Sequence, residues 1–237
     1  DTGVILSGTQ ATPCLKASRR WTLLAAIIGS SLAFIDGTVV NVALPSIQLA
    51  LNATTADAQW VMESYALFLA ALLMVGGALG DRFGRRRVFM IGVALFTLAS
   101  AGCALSASVN QLIATRAVQG IGAALLVPGS LALISAAYPQ AGRGAAIGTW
   151  SACSGSRAAI GPVIGGFLVE HYAWTWAFLV NVPIAALAFA MTTFSIGESA
   201  DPTGARADRL GTALSVVTMG SFVYARVARH DAGWTSS

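Results

Sequence analysis

The sequence predicts an all-α, polytopic transmembrane protein, and three observations support that prediction. Of the 237 residues, 56% are hydrophobic and only 10% are charged, whereas a soluble domain typically carries about 25% charged residues. The mean hydropathy is +0.71. The apolar residues lie in runs of about 20, the length that a helix needs to cross the hydrocarbon core of a bilayer. Because a spanning segment must satisfy its own backbone hydrogen bonds, these runs are predicted to be helices.

Seven spans are predicted, and most are joined by short connections that suit antiparallel neighbours in a bundle. They cover residues 21–44, 58–79, 88–107, 111–138, 145–169, 174–196 and 210–225. The first six form a bundle over residues 21–196, preceded by a segment of residues 1–20. A polar linker, residues 197–209, contains Pro202 and Gly204 and leads to residues 210–237, the seventh span with an outer tail.

The basic residues indicate on which side of the membrane each connection lies. Ten of the 14 lysines and arginines precede the first span or follow the second, fourth and sixth spans. The connections at 45–57, 108–110 and 170–173 contain none. The N-terminus and the exits of the even-numbered spans are therefore predicted to be cytoplasmic.

The connection between the second and third spans concentrates charge. Its sequence is Gly77-Ala-Leu-Gly80-Asp81-Arg82-Phe83-Gly84-Arg85-Arg86-Arg87. A short charged hairpin between two membrane-length apolar runs must lie at a membrane face. A loop that only sets orientation would need the arginines but not Asp81, Gly77 or Gly84. We expect Asp81 to accept hydrogen bonds from a helix N-terminus or from a nearby arginine, and so to hold one arrangement of the two helices.

Four ionisable side chains lie within the predicted spans: Asp36, Glu63, Arg116 and Arg157. A charge at mid-membrane costs at least about 2.5–3.5 kcal/mol, so such residues usually face the bundle interior and mark a function. At 1.5 Å per residue, the first three fall roughly 8–12 Å from the outer face. We expect Asp36 and Arg116 to interact and to face the inner side of the bundle, toward a second bundle. Glu63 is placed either to bind a cationic drug or to reach water at the interface.

Three stretches resemble motifs of the major facilitator superfamily. The loop of residues 77–87 is similar to its signature loop between spans two and three. The stretch Leu32-Ala-Phe-Ile-Asp36-Gly-Thr38-Val-Val-Asn41-Val-Ala-Leu-Pro45 resembles the first-span motif of the fourteen-span drug/proton antiporters. The stretch Leu112-Ile-Ala-Thr-Arg116-Ala-Val-Gln119-Gly120-Ile-Gly122 resembles the fourth-span motif. This resemblance implies proton coupling at Asp36 and Arg116, and the alternative is a fixed ion pair that holds two helices together.

A fourth stretch, in the fifth span, looks like the antiporter motif G-x-x-x-G-P-x-x-G-G. It consists of Gly161-Pro162 followed by Gly165-Gly166, with Arg157 at the position of the first glycine. In the family this motif distinguishes exporters from importers. The departure at Arg157 leaves three readings open: selection of anionic substrates, pairing with an acid, or damage to this copy of the motif.

The resemblance implies the six-helix N-terminal bundle of a major facilitator transporter, built as two inverted three-helix repeats, plus a seventh transmembrane helix. The expected function is proton-coupled multidrug efflux across a bacterial inner membrane, with this chain as the N-terminal half. The expected substrates are small amphipathic or cationic drugs, with Glu63 and Arg157 as candidate cavity residues. The expected partners are the lipid bilayer, protons and the C-terminal bundle that this chain lacks.

Other functions are less favoured by the sequence. No catalytic residue, metal site, cofactor or nucleic-acid partner is expected, and the energy source would be the proton gradient. The motifs G-x-S-x-G, H-E-x-x-H and C-x-x-C do not occur, which argues against a membrane-embedded enzyme. A non-transporting fragment and a facilitator-type solute importer remain the alternatives to an exporter.

Overall fold

The computed structural model describes residues 16–199 and five single positions between 211 and 221. The side chains of residues 16–18 and 157–159 are outside that description. The segment before residue 16, most of the predicted linker 197–209 and most of the predicted seventh span 210–225 therefore lie outside the described residues.

Within the described residues the chain forms seven helices and no strand. They are α1 (Lys16–Leu51), α2 (Thr55–Phe83), α3 (Arg85–Ala104), α4 (Val109–Ala137), α5 (Gln140–His171), α6 (Trp176–Leu179) and α7 (Asn181–Ser195). Six segments of the described chain are long and apolar enough to cross a membrane, the sixth running from Trp176 to Ser195 through α6 and α7. The predicted all-α, polytopic fold is confirmed.

The first helix is longer than predicted because Pro45 lies inside α1 instead of ending it. Proline removes one backbone hydrogen bond, but the helix continues past it and buries Ile47 in the core. Asn52 ends the helix with a left-handed φ of 50°. Thr54 and Asp57 then form a capping box that starts α2, which is a local signal that hydropathy alone does not detect.

The sixth predicted span is interrupted at Val180, between α6 and α7. Pro183 lies in the first turn of α7 and has no N–H to donate to the carbonyl group of Leu179. This missing hydrogen bond explains the interruption. The short break places Asn181 at the start of α7, where it is fully buried.

Helices α1 and α4 occupy the centre of the bundle. Helix α1 packs against α4, α5 and α7, whereas α4 packs mainly against α2 and α3. Phe89 and Phe96 of α3 form one apolar core with Leu126 and Leu133 of α4. Consequently a side chain that points from α1 toward α4 is surrounded by protein on all sides.

Candidate functional site

Asp36 and Arg116 form an ion pair in the interior of the bundle. Nη1 of Arg116 on α4 donates to Oδ2 of Asp36 on α1 at 2.5 Å, and neither side chain is exposed. The predicted contact between the first and fourth spans is confirmed. The surrounding helices cover both side chains completely, and the direction in which they would face a second bundle stays a prediction.

Groups from α2 and α6 cover the guanidinium group of Arg116. Its central carbon lies 4.2 Å from the ring centroid of Tyr65 and 6.0 Å from that of Phe178. Its Nε donates to the carbonyl oxygen of Val61 at 3.1 Å. The hydroxyl group of Tyr65 donates to the carbonyl oxygen of Ala33 at 3.2 Å. These cation–π contacts and hydrogen bonds offset part of the cost of burying the charge.

Two amide side chains and a serine complete this cluster, and the sequence analysis singled out none of them. Nε2 of Gln119 and Nδ2 of Asn181 donate to Oδ1 of Asp36 at 2.8 and 2.9 Å. The same two nitrogens donate to Oγ of Ser100 at 3.2 and 2.9 Å. Oγ of Ser100 donates in turn to the carbonyl oxygen of Phe178 at 2.9 Å. The Asp36 cluster, defined as Asp36, Arg116, Gln119, Asn181 and Ser100, thus joins α1, α3, α4 and α7.

One sequence signal could have found the amides. An uncharged polar side chain within an apolar span needs a partner on another helix, and both Gln119 and Asn181 lie within predicted spans. A search confined to ionisable residues passes over them. The partner itself could not have been found, because Asn181 lies 145 positions after Asp36.

The antiporter motif lies where α5 crosses α1, next to Asp36. Gly161 and Gly165 are buried. A Cβ atom on Gly161 would overlap with Oγ1 of Thr38, and one on Gly165 would lie 3.1 Å from Cα of Val39. The two glycines therefore allow α5 to approach the turn of α1 that follows the buried carboxylate.

The remaining predicted residues of α2 and α5 lie away from the cluster. Pro162 is exposed within α5, and no described residue outside the local helix backbone lies within 4 Å of a Cβ built on Gly166. Glu63 on α2 is partly buried and is not part of the Asp36 cluster. The side chain of Arg157 is outside the described residues, so the three readings of that position stay open.

At the predicted cytoplasmic face, Gly84 alone separates α2 from α3. Its φ of 105° lies in a region that glycine adopts more readily than other residues. Nε and Nη2 of Arg85 donate to Oδ1 of Asp81 at 2.9 and 2.8 Å, so the partner of Asp81 is an arginine. Gly77 is partly buried on α2. Arg82 is exposed, with its guanidinium carbon 5.2 Å from the adjacent Phe83 ring.

The N-terminus of α3 is capped by residues that directly follow α7. Oε1 of Glu198 accepts a hydrogen bond from the backbone N–H of Arg86 at 3.2 Å. The carbonyl oxygen of Ser199 accepts one from the backbone N–H of Arg85 at 2.9 Å. Oε2 of Glu198 lies 3.6 Å from Nε of Arg87. A carboxylate at a helix N-terminus is favoured by the helix dipole. The predicted linker thus begins with a cap on α3, and the sequence analysis did not predict this role for Glu198.

Comparison with known proteins places this fold and these motifs in one family. The model of the Major Facilitator Superfamily matches residues 26–234. The chain belongs to the major facilitator superfamily. Two solved structures resemble it. A peptide transporter, POT, has a TM-score of 0.67 and 17% sequence identity, and the match covers 91% of this chain and 46% of the transporter. A bacterial homologue of the human lysosomal transporter Spinster has a TM-score of 0.64 and 24% sequence identity, and the match covers 81% of this chain and 47% of the homologue. At these identities the likeness shows the fold alone.

Several curated relatives of this major facilitator chain are named for drug resistance. It is 42% identical to the multidrug resistance protein Stp of Mycobacterium tuberculosis, over 91% of this chain and 40% of the relative. It is also 42% identical to the tetracenomycin C resistance and export protein of Streptomyces glaucescens, over 77% of this chain and 34% of that relative. For the methylenomycin A resistance protein of Bacillus subtilis the identity is 39%, over 90% of this chain and 46% of that relative. The chain therefore spans less than half the length of each of these relatives.

Proposed function

We propose that the protein exports drug-like molecules from bacterial cells in exchange for protons. The observation that carries the proposal is the fully buried Asp36–Arg116 pair between α1 and α4. Burial disfavours the charged form of a carboxyl group, whereas a neighbouring guanidinium group favours it. A buried carboxyl group under these two opposing influences is suited to bind and release a proton, and intramembrane acids often serve as proton relays in transporters.

The substrate class follows from the relatives. They are named for resistance to drugs and antibiotics, and one of them is named an export protein. The glycine contacts of the antiporter motif bring α5 against the turn of α1 that follows Asp36. A substrate-dependent movement of α5 would therefore displace that turn of α1 and change the surroundings of the acid. Glu63 and Arg157 are our candidates for residues that line the substrate cavity.

The orientation and partners belong to the same proposal. The N-terminus and the loop of residues 77–87 would face the cytoplasm of a bacterial cell, because basic residues concentrate at that end of the spans. Transport by alternating access requires a second bundle that moves against this one around a shared site. A C-terminal bundle, the lipid bilayer and protons are therefore the partners that we propose.

The test is Asp36→Asn in the full-length protein, reconstituted in liposomes with an imposed pH gradient. We expect the substitution to abolish pH-driven export of a fluorescent cationic dye, because an amide at this position cannot carry the proton. Glu170→Gln is the matched control, since it neutralises an exposed acid of α5 and should leave export within about twofold of the unmodified protein. Proton-driven export by the Asp36→Asn variant at the unmodified rate would contradict the proposal.

A further inference from the structure

We propose that Asn181 and Gln119 are positioning residues that reserve Oδ1 of Asp36 for hydrogen bonds and leave Oδ2 as the oxygen that receives the proton. This inference rests on the proposed proton coupling at Asp36. It adds the atom at which the proton binds and the two side chains, one on α4 and one on α7, that determine the choice.

The two oxygens of the carboxylate have different surroundings. Oδ1 accepts two hydrogen bonds, from Nε2 of Gln119 and from Nδ2 of Asn181. Oδ2 accepts from Nη1 of Arg116. An ionised carboxylate only accepts hydrogen bonds, so all three donors suit the charged form.

Neighbouring groups fix the orientation of both amides. Oε1 of Gln119 accepts from Nη1 of Arg116 at 2.8 Å, so its NH₂ group must point toward Asp36. Oγ of Ser100 donates its proton to the carbonyl oxygen of Phe178 and can therefore only accept from Asn181. Neither amide can present its oxygen to Asp36 without losing one of these hydrogen bonds.

A proton therefore binds at a different cost on each oxygen. On Oδ1 it would oppose two N–H donors whose orientation is fixed. On Oδ2 it would displace the single contact with Arg116, whose charge keeps the Val61 carbonyl oxygen, the Gln119 amide oxygen and the Tyr65 ring as partners. Protonation at Oδ2 thus breaks the charged contact between Asp36 and Arg116 and preserves the hydrogen bonds that Gln119 of α4 and Asn181 of α7 donate to Oδ1.

Among the described side chains, the titratable groups that interact electrostatically with Asp36 are Arg116 from α4, Tyr65 from α2 and Cys103 from α3. Helix α5 also packs against α1, and the side chain of its Arg157 is outside the described residues. Among the described side chains, α6 and α7 contribute Phe178 and Asn181, neither of which titrates. A shift of the Asp36 band on substitution of Asn181 that is absent from a control substitution on the same helix therefore reports the lost hydrogen bond.

The test is infrared spectroscopy of the full-length protein in lipid nanodiscs, titrated with acid. Bands of Asp36 are identified by subtracting the spectrum of the Asp36→Asn variant. We expect the C=O stretch of the protonated acid at low frequency, since Oδ1 remains a carbonyl oxygen that accepts two hydrogen bonds. In the Asn181→Leu variant this band should move to higher frequency. This shift of the band is expected because Oδ1 then accepts one hydrogen bond instead of two.

The control is Thr192→Val, which removes a buried hydroxyl group from the same helix; within the described part of the chain this hydroxyl group donates to the carbonyl oxygen of Ala188. It should leave the band unchanged. A protonated band in the unmodified protein at the frequency of a free carbonyl group would overturn the inference, and that measurement does not depend on the folding of any Asn181 variant. An Asn181→Leu spectrum identical to the unmodified one would also overturn it. The absence of any Asp36-dependent acid band would instead overturn the proposed proton coupling, and this inference with it.

Discussion

At the scale of single residues, Arg116 is the buried side chain that most needs partners to compensate its charge. It is fully buried, and its guanidinium group contacts a carboxylate on α1, a backbone carbonyl and an aromatic ring on α2, and an amide oxygen on its own helix. Its planar fork of N–H donors suits this set of acceptors better than the compact ammonium group of lysine would. Removal of one member of a buried ion pair typically costs about 3–5 kcal/mol, because the other charge loses its compensation.

We therefore predict that Arg116→Leu lowers the free energy of unfolding by about 3–5 kcal/mol, measured by reversible unfolding in mixed micelles. The double variant Asp36→Asn with Arg116→Leu should be more stable than Arg116→Leu alone, since it removes the uncompensated carboxylate and keeps an acceptor for Gln119 and Asn181. Arg82→Leu, at an exposed arginine, serves as the control and should change stability by no more than about 0.5 kcal/mol. Equal losses in the single and double variants would show that the pair is not coupled.

At the scale of helices, the contact between α1 and α5 depends on a missing side chain. A methyl group on Gly161 would overlap with Thr38, whereas one on Gly166 would have no described residue of another helix within 4 Å. Both residues lie in the interior of α5, where alanine is intrinsically favoured over glycine by about 1 kcal/mol. The two positions thus differ in packing but not in helix propensity.

We predict that Gly161→Ala reduces stability by about 1–3 kcal/mol, the usual cost of overpacking, and slows export by displacing α5 from Asp36. Gly166→Ala is the matched control and should be neutral or slightly stabilising. Thermal unfolding and dye export of the two variants provide the comparison. If both variants behaved alike, the close approach of α5 to α1 would not be what the motif provides.

A second contact between elements joins the start of α3 to the end of α7 through Glu198. The carboxylate accepts from a backbone N–H of α3 and lies near Arg87, so it acts both as a cap and as a counter-charge to the arginines. We predict that Glu198→Ala increases amide hydrogen exchange in the first turn of α3 by about five- to thirtyfold, equivalent to a lost cap of about 1–2 kcal/mol. Glu198→Gln keeps an acceptor and should give a smaller increase. Unchanged exchange in the alanine variant would show that Glu198 does not cap this helix.

At the scale of the whole molecule, the bundle protects its own charges. The Asp36–Arg116 pair is enclosed by helices of this chain, so no second bundle is needed to shield it from lipid. Helices α2 and α5 are less enclosed, because only 28% and 13% of the residues in their most apolar stretches are buried. Folding and transport therefore make different demands, because alternating access requires two bundles around a shared site.

We predict that residues 1–237, expressed alone, form a helical, membrane-inserted protein that does not export drugs. Circular dichroism of the purified protein would measure the first property, and export of a fluorescent cationic dye from a drug-sensitive strain the second. The full-length protein, expressed in the same strain, is the positive control. Energy-dependent export above the empty-vector level by residues 1–237 would contradict this prediction.

Much of the fold could be predicted because membrane insertion depends on local properties. The length of each apolar run and the spacing of the loop and span motifs lie within short stretches, and the six described spans agree with them. The differences at Pro45 and Val180 both involve a proline, which removes one backbone hydrogen bond. Helix α1 nevertheless continues through Pro45, whereas the sixth span is interrupted just before Pro183. The pairing of Asp36 with Arg116 was predictable because the cost of a buried charge requires a partner.

The amino-acid sequence by itself determined that this chain is a bundle of membrane-length helices with an acid and a base in facing spans. Only the tertiary structure decided which groups surround that pair and that they enclose it completely. Asn181 reaches Asp36, and Glu198 reaches the first turn of α3, across 145 and 112 positions. Such contacts depend on how each helix is rotated against its neighbours. That rotation is set by the fit of side chains from several helices at once, and no periodicity within one segment records it.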